Sequence, residues 1–129
     1  MTGQKKIGEW GEYHAARFFR EKGFCIESSN FRSRMGEIDL IVTNQKWILF
    51  VEVKTRTPEM LAAPREAVDR LKQNRIQTAM YYLRLHKNEK RQPRFDVVEV
   101  TMEKGSFASP KSINHIENAF DLEGFHATI

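Results

Sequence analysis

The sequence predicts a mixed α/β domain, a sheet flanked by helices with elements in the order α-β-β-β-α-β. Three observations carry this. Residues 5–22 and 65–86 place apolar side chains at helical spacing, and the first stretch stops at Gly23, a residue suited to the left-handed C′ position. Between them, Gly36 to Val42 and Ile48 to Lys54 are β-branched and aromatic runs of strand length. Thr43-Asn44-Gln45-Lys46 lies between those runs, a spacing that suits a tight antiparallel hairpin.

The first helix is expected from about Lys5 to Lys22. Ala15, Ala16 and Phe19 lie three, four and seven positions beyond Glu12, so Glu12 shares a partly apolar, inward stripe. The competing reading pairs Glu12 with Arg17 or Arg20 on the helix flank. Glu9, in the first turn, is explained by the helix dipole. Phe24 to Phe31 reads as the first strand, followed by a basic turn through Arg32, Ser33 and Arg34. After the hairpin, Thr57 to Pro64 holds two prolines and reads as a loop. The second helix spans Arg65 to about His86, with Val68, Leu71, Ala79 and Leu83 available to cover the sheet. Asn88 to Pro93 is a polar connector and Arg94 to Met102 a strand. Glu103 to Pro110 is loop-like, and Ile113 to Phe120 fits a short extra strand or a turn. The 129 residues form one domain, 1–129, without internal repeat.

The two central runs carry charge where burial is expected. Glu52 and Lys54 end the second run two positions apart, so they leave the strand on the same face. Asp39 sits in the first run. A two-residue loop at Asn44-Gln45 pairs Thr43 with Lys46 and leaves Glu52 diagonal to Asp39, whereas a four-residue loop, Asn44 to Trp47, sets Asp39 opposite Glu52. Both keep the two carboxylates on one face; a three-residue loop without a bulge separates them. Two adjacent carboxylates repel and raise a pKa, and a hard cation such as Mg²⁺ or Mn²⁺ relieves that repulsion. The alternative is a structural ion pair of Lys54 with Glu52 or Asp39.

These residues resemble a known signature. Asp39, Glu52-x-Lys54 and the helical Glu12 look like the PD-(D/E)XK nuclease motif, with Ile38 where that motif has proline. The wider set is Gly11-Glu12, Asn30-Phe31-Arg32, Gly36-Glu37-Ile38-Asp39-Leu40-Ile41, Phe50-Val51-Glu52-Val53-Lys54-Thr55-Arg56, Lys72 and Arg94-Phe95-Asp96-Val97-Val98. Over about Gly8 to Val100 it resembles the bacterial YraN family, which is related to archaeal Holliday-junction resolvases. The resemblance implies a restriction-endonuclease-like core and metal-dependent hydrolysis of phosphodiester bonds in DNA, branched DNA included. It implies Mg²⁺ or Mn²⁺ held by Asp39, Glu52 and the Val53 backbone carbonyl, with Glu12 acting directly or through water. Lys54 would assist the attacking water, and Arg56, Lys72 and Arg75 would meet phosphates. Junction cutting by relatives implies a homodimer. Two rival readings stand beside this one: a nucleic-acid-binding module that does not cleave, and a protein-interaction domain with a structural charge cluster.

Composition is compatible with this reading. The chain is 40% hydrophobic and 29% charged, as soluble globular proteins are. No apolar run approaches the roughly 18 residues of a membrane span, and the N-terminus lacks the apolar core of a signal peptide. A single cysteine, Cys25, fits a reducing cytoplasm. It reads as a core or strand residue rather than a nucleophile. The net charge is +4, but from Lys54 to Arg94 eleven basic residues face four acidic ones, a candidate footprint for a polyanion. Four scattered histidines, no glycine-rich phosphate loop and no serine triad set aside zinc, nucleotide and acyl-transfer chemistry.

Overall fold

The computed structural model describes residues 2–57, 65–103 and 106–119. Along the chain it forms α1 (Thr2–Glu21), β1 (Cys25–Arg32), β2 (Glu37–Thr43), β3 (Trp47–Arg56), α2 (Arg65–Leu85), β4 (Gln92–Glu103) and β5 (Ser106–Ile116). One sheet holds the strands in the order β1-β2-β3-β4-β5. Neighbours are antiparallel except β3 and β4, which run parallel. A parallel pair needs a crossover connection, and α2 lies between these two strands in the chain.

α1 stops where expected. Gly23 has φ of 95°, and Phe24 donates to the Phe19 carbonyl across it, so the last carbonyls are satisfied by a left-handed cap. The two helices cover opposite faces of the sheet. Ala15, Ala16 and Phe19 of α1 pack on Leu40, Val42, Leu49, Val51, Val98, Val100 and Met102. On the other face, Ala79 and Tyr82 of α2 meet Ile38, Ile41, Ile48, Phe50 and Phe95. Each fully buried aromatic or aliphatic side chain here contributes about 1.5–3 kcal/mol of transfer free energy. Leu71 was expected to cover the sheet but is 47% exposed. At that end of the helix the side chains turned to the sheet include the polar Arg75 and Thr78, and the apolar cover comes from Ile76, Ala79, Met80, Tyr82 and Leu83. Val68 has a side chain outside the described residues.

The β2–β3 register settles the hairpin. Thr43 pairs with Ile48 and Leu40 with Val51, which is the four-residue loop from Asn44 to Trp47. Asn44 builds that loop, because its Oδ1 accepts from the amides of Lys46 (2.9 Å) and Trp47 (2.7 Å).

One expectation is corrected. Glu103 to Pro110, read as a loop, is largely strand: β5 pairs with β4 from Glu103–Ser106 to Val97–Ile116. Pro110 is tolerated because β5 is the last strand of the sheet and the register shifts around its partner, Met102. Residues 58–64, read as a loop, and the end of the Ile113–Phe120 segment lie outside the described residues.

The far end of β5 is fastened through Asp96, which is fully buried. Its carboxylate accepts from Arg94 Nε and Nη2 (both 2.8 Å) and from the Asn118 amide (3.0 Å). His115 Nε2 lies 2.7 Å from the same group. Burial alone would raise the Asp96 pKa, but these donors and the Arg94 charge outweigh it and hold it below the ordinary value.

Candidate functional site

Past Leu40 and Val51 the β2–β3 ladder ends. Ile38 and Ile41 share the α2-side core although they are three apart, while Leu40 belongs to the α1 side. A regular strand alternates faces strictly, so the alternation breaks at Asp39. Across from it on β1, Asn30 adopts φ of 54°, a left-handed conformation that asparagine accepts better than most residues. The result is a fork in the sheet. In it the Asp39 carboxylate, rather than a neighbouring carbonyl, accepts the Val53 amide, at 2.8 Å.

The register that ends at Leu40–Val51 is the one expected for the four-residue loop, and beyond it Asp39 meets β3 through the Val53 amide. Glu52 turns to the α2 side and pairs with Arg75 at 3.2 Å, the two side chains 12% and 19% exposed. Lys54, two residues on, shares that face by strand alternation. Among the described residues no ion pair joins Lys54 to Glu52 or Asp39, so the cation at Glu52 comes from α2 instead.

Glu12 arrives from the other face. Its neighbour Gly11 lies against β3 so closely that a Cβ there would stand 1.8 Å from Thr55 Oγ1. Only glycine permits that approach, which lets α1 lower Glu12 toward the fork. Glu12 is partly buried and hydrogen-bonded to the Asn30 side chain. The alternative partner Arg17 is engaged with Glu21, at 3.2 Å.

The electrostatics follow from this geometry. Burial, opposed by the Val53 hydrogen bond and by Arg75 but assisted by Glu37 and Glu52, pushes the Asp39 pKa up to about 6. Glu12 is likewise raised, first by burial and then by the charge of Asp39, with the Asn30 hydrogen bond acting the other way. Carboxylates raised chiefly by burial and further by neighbouring acids are a donor set that a hard divalent cation would relieve, and the residue types fit Mg²⁺ or Mn²⁺. Among the described residues no group of three or more His, Cys, Asp and Glu side chains is already gathered tightly enough to hold a metal ion.

The remaining expected residues lie around the α2 side of the fork. Arg56 is the last residue of β3, and Lys72 lies one turn before Arg75 on α2. Sequence reasoning missed the parts played by Asn30 and Thr55. An asparagine inside a strand, a residue type depleted there, was the available signal for the first. Nothing in the sequence signals the Gly11–Thr55 contact. Cys25 opens β1 and is exposed.

A mixed sheet forked beside acidic side chains, with a helix on each face, defines a restriction-endonuclease-like core. Residues 11–100 match the family described as "Uncharacterised protein family UPF0102". The chain belongs to that family, also known as the YraN family. It is 42% identical to a UPF0102 protein of Caldanaerobacter subterraneus subsp. tengcongensis over 91% of this chain and 96% of that protein. Similar relatives occur in Syntrophotalea carbinolica, 38% identical over 97% of this chain and 100% of the relative. In Clostridium botulinum strain 657 a relative is 40% identical over 92% of this chain and 96% of its own length.

Proposed function

We propose that this protein is a metal-dependent endonuclease that hydrolyses phosphodiester bonds in DNA, branched DNA among its candidate substrates. The observation that carries this reading is the fork: Asp39 is held by the Val53 amide near Glu52, with Glu12 approaching from α1. Asp39, Glu52 and the Val53 carbonyl would hold Mg²⁺ or Mn²⁺, with Glu12 acting directly or through water. Such a cation supplies Lewis-acid activation of a phosphoryl oxygen and of a water nucleophile.

The chain's own groups do the rest. The Val53 amide fixes the orientation of Asp39 without a rotamer search, so one ligand is in place before substrate arrives. Lys54 orients the attacking water and neutralises charge growing on the phosphate oxygens. Arg56, Lys72 and Arg75 take flanking phosphates. Junction cutting requires two sites on opposed strands, and so a pair of chains.

A second reading, a DNA-binding module that does not cleave, is favoured by the Arg75–Glu52 pair, which already neutralises one of the acids. Labelled single-stranded, duplex, flap and four-way-junction DNA, incubated with Mg²⁺ or Mn²⁺, separates the two. The nuclease cuts at least one of these, and EDTA or Glu52→Gln abolishes cutting. Binding without cutting under every condition rejects the nuclease in favour of the module.

A further inference from the structure

The pairing of Arg75 with Glu52 has two unusual features. Both side chains are largely buried, and Arg75 Nε is a buried donor that has no hydrogen-bond partner among the described residues. A guanidinium satisfies its five N–H groups best as a planar fork against a carboxylate or phosphate. Here it spends one nitrogen on Glu52 at 3.2 Å and leaves another dry and unpaired. Buried unsatisfied donors are rare because they forfeit their hydration without return. Arg75 is therefore held in an incompletely satisfied position by a carboxylate that has a second claimant, the cation proposed for the Asp39–Glu52 pair.

We propose that Arg75 is the site's internal counter-cation, a positioning residue that holds Glu52 until a divalent cation replaces it and then passes its guanidinium to a DNA phosphate. This rests on the nuclease reading and adds a coupling to it. A divalent cation on Glu52 repels the guanidinium paired with it at short range and competes for the same carboxylate. Cation binding thus releases Arg75, and its planar donors match the anion that DNA brings. Arg75 lies in the basic stretch that begins at Lys54, one turn beyond Lys72 on α2. By linkage the exchange works both ways: cation raises DNA affinity, and DNA raises cation affinity. Glu52 thus has a counter-charge in either state, Arg75 while unloaded and the divalent cation while loaded.

The test reads binding rather than cleavage. Mn²⁺ affinity is measured by calorimetry without DNA, and DNA affinity by fluorescence anisotropy with and without Ca²⁺, which permits comparison without turnover. In the wild type, Ca²⁺ raises DNA affinity by about fivefold or more, a typical coupling between sites. Arg75→Gln binds Mn²⁺ several-fold tighter and loses the Ca²⁺-dependent gain in DNA affinity; Arg75→Lys keeps part of it. Glu52→Gln, which frees the arginine without altering it, binds DNA more tightly than wild type in the absence of cation and ignores added Ca²⁺. This second variant keeps the test decisive if Arg75→Gln does not fold. Unchanged Mn²⁺ affinity in Arg75→Gln, or a Ca²⁺ gain retained there, overturns the exchange while leaving the nuclease reading intact. A wild type that binds neither cation nor DNA overturns both.

Discussion

Asp39 is the residue whose environment is most at odds with its chemistry, since its acid is held up to about 6 by burial and neighbouring carboxylates. The sign of the stability effect follows. A pKa raised in the folded state means the fold favours the protonated acid, so this contribution is complete below the unfolded value near 4. It is lost as pH rises through about 6. Asp39→Asn keeps an oxygen for the Val53 amide and cannot ionise. Without divalent cation it should therefore be more stable than wild type at pH 7.5, by about 1–3 kcal/mol after allowance for partial exposure. The advantage should shrink toward zero at pH 4, as urea melts at the two pH values will show. Equal melts at pH 7.5 would mean that Asp39 carries no such strain. The identities of the acids were legible in the sequence because charges ending an apolar run demand an explanation. The partner of Glu52 was not. Lys54 was the nearest cation in sequence, yet strand geometry sends both side chains out side by side, and a helix 23 residues further along supplied the ion instead.

At the level of elements, the hairpin and both helices were readable from local patterns, since period and turn chemistry are properties of neighbouring residues. β5 was not. Its proline and polar residues look like a loop, and only pairing with β4, at long range, makes them a strand. The Asp96 cluster then fixes the end of that strand. Replacing Asp96 with asparagine should cost about 3–5 kcal/mol, because Arg94 loses its buried counter-charge. In wild type this contribution is present above the ordinary aspartate pKa and is lost as pH falls through the lowered folded value. A mutant that melts with the wild type at pH 7 would show that β5 is held by its ladder alone.

Across the whole molecule, acidic residues gather at the fork while eleven basic residues against four acidic ones run from Lys54 to Arg94. Among the described residues no helix is long and apolar enough to cross a membrane. If the basic stretch follows a DNA backbone, affinity must fall steeply with salt through counterion release. A plot of log affinity against log salt should have a slope of about −3 to −5, and Lys72→Gln should flatten it by about one. A slope near zero would exclude the backbone as the main partner.

The fork has a consequence for how the site can be watched. The amide hydrogen of Val53 is guarded by a side-chain acid instead of by a strand. A ladder hydrogen opens only when strands part, whereas this one is set free whenever Asp39 turns away or takes up a proton facing it. Its exchange rate with deuterated solvent, read beside that of Val51 deeper in the same strand, is thus a native meter of what Asp39 is doing. No label need be attached to follow the acid as pH, cation or DNA acts on it.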